Sequence, residues 1–181
     1  MSKNIAVLVG SGSQTSYNHI VARHLQNIAP AGLTLNIIDI ADLPLYDRDL
    51  DGQDIPAYTR VREAVAAADA VLWISPEHNG SFSAMLKNAI DVVSRPAGQS
   101  RWVGKPLGIV SVNASGSNRV ADQLRVIASG AYINMPVAPY AAAIGGIFSG
   151  AFNEQGEIVA ENVQKSLQNF ITAYADFVAK F

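Results

Sequence analysis

Four short apolar runs constrain this chain most: IAVLVG (5–10), LTLNIIDI (33–40), AVLWIS (70–75) and PLGIVSVNA (106–114). IAVLVG is a short continuous run ending at glycine, the pattern of a strand covered on both faces, and the other three read as further strands. Stretches of helical spacing separate them. From Tyr17 to about Ile28, apolar Ile20, Val21, Leu25 and Ile28 recur at helical intervals. AYTRVREAVAAA (57–68), SAMLKNAIDVVS (83–94) and RVADQLRVIASG (119–130) read as further helices, the last ended by glycine. A long, Asp-rich loop, LPLYDRDLDGQDIP, precedes the second helix. A short fifth strand is predicted within 131–150, a turn at FNEQGE (152–157), and a final helix over 159–179.

Five β-α units in 181 residues imply an α/β fold with a parallel sheet and helices on both faces, in one domain spanning 1–181. Right-handed crossovers narrow the topology. In a five-stranded sheet of order 2-1-3-4-5 the strand order reverses between strands 1 and 3, and ligands bind there, outside the carboxyl ends. The loops that follow strands 1, 3 and 4 are GSGSQTSYN, SPEHNGS and VNASGSN. These hydroxyl-rich loops therefore share one rim of the sheet.

Composition removes several classes. Net charge is −2, so there is no basic field to hold nucleic acid. The chain has no cysteine, which excludes disulfides, thiolate metal sites and cysteine nucleophiles. MSKNIAVLVG enters a strand pattern directly and lacks the form of a signal peptide. No uninterrupted apolar stretch reaches the roughly 18 residues of a membrane span. A soluble cytoplasmic protein is expected, with no metal constellation.

The first loop spans Gly10 to Asn18. Ser11, Ser13, Thr15 and Ser16 supply hydroxyls beside a predicted helix N-terminus, an anion site by its free N–H groups and dipole. It contains no Lys or Arg. A P-loop fails because GxxxxGK[ST] is absent. A dinucleotide fingerprint matches Gly10 and Gly12, and Asp39 ends the second strand, but Thr15 stands where the third glycine belongs. A Ser-rich helix cap without ligand is the plain structural alternative. A monophosphate site fits best.

Longer motifs give a resemblance. Gly10, Ser11, Ser16 and Asn18 fit a loop of the form GSxRxxSxN. Pro76, Glu77, Asn79, Ser81, Leu86-Lys87-Asn88-Ala89-Ile90-Asp91 and Ser94-Arg95-Pro96 fit PEYNxSxPGxLKNAIDWxSRP. Gly104-Lys105-Pro106 and Gln123-Leu124-Arg125 recur as GKP and QLR. From residue 5 onward the chain resembles the NADPH-dependent FMN reductases, which include flavodoxin-like quinone, azo and chromate reductases. It departs from them at Ser13 (arginine in the family), His78 (tyrosine) and Ser83-Ala84 (Pro-Gly), and the glycine-rich stretch after strand 4 is reduced to residues 114–118.

The resemblance implies a flavodoxin-like three-layer sandwich that binds FMN and uses NADPH or NADH as co-substrate. Ser11, Ser13, Ser16, Tyr17 and Asn18 would hold the phosphate. Pro76, Glu77, His78, Asn79, Gly80 and Ser81 would flank the isoalloxazine, with His78 stacked on or edging the ring. The N–H groups around Ser115 and Gly116 would face N1 and O2. No side chain would be catalytic, because the cofactor carries the chemistry. A quinone, azo compound, free flavin or metal oxyanion would accept the electrons. The family implies a homodimer, or a homotetramer, with the flavin near the subunit boundary.

Plainer readings stand beside these. His78 can satisfy backbone groups in a turn, and Lys87–Asp91 at i, i+4 reads as an ion pair. His24 reads as a surface residue, and His19 as surface or near the phosphate. Two rival functions remain: an electron carrier like flavodoxin, and an NAD-dependent dehydrogenase. The stretch YINMPVAPYAAAIGGIF (132–148) serves as core or as interface.

Overall fold

A computed structural model describes residues 2–181. Its strands are β1 (Lys3–Val9), β2 (Leu33–Ile38), β3 (Ala70–His78), β4 (Ser81–Phe82), β5 (Leu107–Val112) and β6 (Ala142–Ile144). Its helices are α1 (Tyr17–Ile28), α2 (Pro56–Ala67), α3 (Ala84–Val93), α4 (Arg119–Ala128) and α5 (Glu161–Val178). A 3-10 turn at Arg48–Leu50 lies in the Asp-rich loop. The parallel strands run in the order β2-β1-β3-β5-β6, the predicted 2-1-3-4-5 order once β4 is set aside. β4 is an extra strand, antiparallel and bonded only to the end of β3.

The runs of β1, β3 and β5 are buried throughout most of their length because both faces of the sheet are covered there, whereas β2, at the edge, is only partly buried. Ala6, Leu8, Val71, Trp73, Leu107 and Ile109 pack under α2, α3 and α4. Their neighbours Ile5, Val7, Val9, Leu72, Ile74, Val110 and Val112 pack under α1 and α5. Side chains alternate faces along each strand, so each run fills two cores. Trp73 and Trp102 meet edge to face, ring centroids 5.4 Å apart, and the Trp102 indole N–H donates to the Ile90 carbonyl at 3.0 Å. On the opposite face the Tyr174 hydroxyl donates to the Val71 carbonyl at 2.8 Å, and burial raises the pKa of the phenol.

The predicted fifth strand is β6, preceded by a bridge from Val137 to Leu107. Residues 132–148 divide their roles: Ile133, Met135, Ala138, Ala142 and Ile144 are core, whereas Tyr132, Tyr140 and Phe148 are exposed. Among the described residues no helix is long and apolar enough to cross a membrane.

Candidate functional site

α1 follows β1 after one loop, and the close approach of α3 shapes that loop. A Cβ on Gly10 would lie 2.4 Å from Ser83 Oγ and 2.9 Å from Leu86 Cβ. Only glycine lets the start of α3 sit this near. The imidazole Nε2 of His19 lies 2.9 Å from the Ser11 carbonyl, so His19 braces the loop rather than standing free on the surface. Ser16 is the N-cap; its hydroxyl accepts the His19 N–H at 3.3 Å.

The N–H groups of Tyr17 and Asn18 have no acceptor among the described residues. The first turn of α1 has no acidic residue. Asn18 is 5% exposed, and its Oδ1 is buried without a partner. Ser11 is half-buried, and Ser13 and Thr15 are exposed. Free amides and hydroxyls, with no carboxylate in the first turn, fit a phosphate monoester such as that of FMN, whereas the unpaired Asn18 Oδ1 is an acceptor and calls for a donor. The plain helix cap accounts for Ser16 alone. Asp39 is engaged locally, its Oδ1 accepting the Ala41 N–H at 2.9 Å.

The stretch expected as the loop after the third strand is instead a hairpin. β3 continues through Pro76, Glu77 and His78, and Asn79 and Gly80 form a two-residue turn with φ of 51° and 78°. Successive left-handed residues make the primed turn that Asn-Gly favours. Ser81 pairs with His78, and Phe82 with Glu77. Proline is tolerated in β3 because β1 ends level with Ile74, so the backbone edge that lacks an N–H at Pro76 faces no ladder partner. The His78 side chain is exposed and makes no hydrogen bond among the described residues, so the imidazole does not hold the turn, which the backbone pairing with Ser81 closes. Glu77 is tied down: the Ser117 hydroxyl donates to it at 2.7 Å, and Arg119 lies 3.3 Å away.

The loop after β5 is organised by Asn113, a residue the sequence reading passed over. Its Oδ1 accepts the N–H groups of Ser115 (3.1 Å), Gly116 (2.6 Å) and Ser117 (3.2 Å). Its Nδ2 donates to Ser111 Oγ at 2.8 Å and to the Ser117 carbonyl at 3.1 Å. The Ser115 and Gly116 amides, expected to face a ligand, therefore converge on a side chain of this same chain. The loop forms a small anion-type nest whose occupant here is a neutral amide oxygen.

Much of the most specific motif proves to be scaffold. Asn88 accepts the Tyr46 N–H at 2.7 Å and donates to the Pro44 carbonyl at 2.9 Å, pinning the Asp-rich loop. Lys87 and Asp91 form the expected ion pair at 2.6 Å. Lys105 of GKP donates to the Ala66 and Ala68 carbonyls at the end of α2, and burial lowers its pKa. Two cavities flank the rim. One of about 720 Å³ runs along α1 and shares Thr15, Ser16 and Tyr17 with the first loop. His24 lines it, only half-exposed, and burial lowers its pKa. The other, about 430 Å³, lies beside Ser115 and Gly116 on the β6 side.

Comparison with known proteins identifies the family. The model of the NADPH-dependent FMN reductase family matches residues 3–149. A quinone reductase of Pseudomonas putida is 40% identical over 176 residues, covering 97% of this chain and 94% of its own. A 2-hydroxy-1,4-benzoquinone reductase of a Burkholderia species is 37% identical, covering 98% and 97%. Among solved structures, FerB, a flavoenzyme NAD(P)H:(acceptor) oxidoreductase of Paracoccus denitrificans, superposes with a TM-score of 0.86 at 32% identity over 98% of each chain. A phosphate-type loop, a polar hairpin and a serine-rich nest on one rim of a flavodoxin-like sheet, together with these likenesses over nearly the full length, establish that the chain belongs to the NADPH-dependent FMN reductase family.

Proposed function

We propose that the rim formed by the loops after β1, β3 and β5 is the flavin site of an FMN-dependent NAD(P)H oxidoreductase whose acceptor is a quinone. The observation that carries this reading is the pair of unpartnered amides at the start of α1 beside Ser11, Ser13 and Ser16. Quinones are favoured over azo compounds, free flavins and metal oxyanions because relatives across nearly the full length are named quinone reductases.

In this reading the amides of Tyr17 and Asn18 and the hydroxyls of Ser11, Ser13 and Ser16 bind the phosphate. The β3–β4 hairpin, Pro76 to Ser81, lies along the edge of the ring system, and exposed His78 covers or edges it. Ser115 and Gly116 border the pyrimidine end; their amides reach a ligand only where Asn113 Oδ1 gives way. Bound FMN would supply a two-electron centre between NAD(P)H and the quinone, with solvent supplying the proton that completes the hydroquinone. The protein's part is to orient both substrates at one face and to hold the negative charge that develops there with fixed N–H dipoles. No proton-transfer residue is needed at the chain's own atoms, and Glu77, tied to Ser117 and Arg119, acts as a strut.

A flavodoxin-type carrier fits less well, given the small net charge of −2 and relatives that act on quinones. We place the protein in the cytoplasm, where NAD(P)H is supplied. We assign a homodimer or a homotetramer. Phe148 is 84% exposed in the segment after β6, next to Gly145 and Gly146 of the cavity beside Gly116, and Leu45 is 81% exposed. Single exposed apolar residues are ordinary on a protein surface, so the assembly rests on the family resemblance and not on them.

Added FMN should acquire a protein-perturbed absorbance spectrum, bleach anaerobically on addition of NADH or NADPH, and recover on addition of a benzoquinone with ping-pong kinetics. Protein that leaves the FMN spectrum unchanged would sink the reading. Replacing Ser13 by arginine restores a charge-assisted contact and should tighten FMN binding by about tenfold. An unchanged affinity would place the phosphate away from Ser13. Light scattering should give a dimer or a tetramer, and a monomer at micromolar concentration would refute the assembly.

A further inference from the structure

The β3–β4 hairpin is too small to hold itself. β4 has two residues and two register pairs, and an isolated two-stranded ribbon is marginal in water. Its turn places Asn79 and Gly80 in the left-handed region one after the other. What fixes the turn comes from α4. Arg119 and Gln123 stand at i and i+4, on one helix face, toward the hairpin. The Gln123 Nε2 donates to the Gly80 carbonyl at 2.9 Å, and the Ser81 hydroxyl donates to Gln123 Oε1 at 2.6 Å. One amide thus uses its donor on the turn and its acceptor on the returning strand. Arg119 Nη1 lies 3.3 Å from Glu77 and 3.0 Å from where a Cβ on Gly80 would stand. The Arg119 side chain is 62% exposed, and an ion pair so exposed contributes little. The half-buried Gln123, with two shorter bonds, is the stronger tie.

We propose that Gln123 is a positioning residue for hydride transfer: its amide sets the Asn79–Gly80 turn and, through it, the Pro76–His78 edge against which flavin and nicotinamide are aligned. This rests on the flavin site proposed above. Gln123 is placed to touch neither substrate, so its effect passes through the hairpin. Loss of the clamp frees the turn without opening either core, because Gln123 is only half-buried and its two bonds run to the turn and the returning strand.

Gln123→Leu removes both bonds at nearly constant volume; Ser81→Ala removes one of them. In the FMN-free protein, amide hydrogen exchange at residues 79–82 should speed up by about tenfold in Gln123→Leu and less in Ser81→Ala, and the double variant should add little, because both changes cut one network. With FMN and NAD(P)H saturating, the rate of flavin bleaching after rapid mixing should fall by about tenfold in Gln123→Leu while the thermal midpoint stays near that of the wild type. A purely structural role would lower the midpoint and leave the bleaching rate of the folded fraction unchanged. Wild-type protein that binds FMN, with Gln123→Leu matching it in exchange and bleaching, overturns the clamp alone. Wild-type protein that takes up no FMN overturns the functional reading and the clamp with it.

Discussion

A helix that starts at the carboxyl end of a parallel strand leaves its first N–H groups without helical partners, and most of the candidate site follows from how this chain meets that constraint. At α1 the cap uses Ser16 for one amide and leaves those of Tyr17 and Asn18 open, with no carboxylate in the first turn to compete. Gly10 and His19 hold the loop in that shape from two sides, one by admitting α3 and the other by bracing the Ser11 carbonyl. The loop is therefore held with open N–H groups and hydroxyls at its rim although it carries no cationic side chain.

The remaining rim is built from contacts between loops. The strut Ser117–Glu77 joins the turn after β5 to the end of β3, and Gln123 joins α4 to the hairpin. Asn113 gathers the amides of its own loop. Two cavities border this braced region, one reaching from the first loop along α1 and one from Ser115 and Gly116 toward β6. The rim is a set of coupled backbone segments, which suits an enzyme whose chemistry resides in a cofactor and whose own task is alignment.

The fold was legible because its signal is local and repeated. Apolar runs with intervening helical spacing point to four of the parallel strands and to all five helices, the fifth strand is bracketed only within 131–150, and the strand order follows from the flavodoxin-like type of sheet. The hairpin was missed although Asn79-Gly80 is the strongest short-range hairpin signal; Pro76 argued for a loop, and only the end of β1 level with Ile74 explains why proline is tolerated there. Asn113, Asn88 and Gln123 were illegible as organisers, because an amide side chain shows no preferred partner until the backbone that it serves is in place. The LKNAID motif identified the family, yet its polar members mostly pin a loop and pair on a surface. Specificity of a motif and contact with a ligand are separate properties.

The central claim is that the start of α1 binds a phosphate through dipoles and hydroxyls. Comparing FMN with riboflavin, which lacks only that phosphate, isolates it in one titration. FMN should bind at least about a hundredfold more tightly, as several hydrogen bonds to a charged group imply. Equal affinity for the two flavins would mean that the first loop leaves the phosphate in solvent, and would contradict the account.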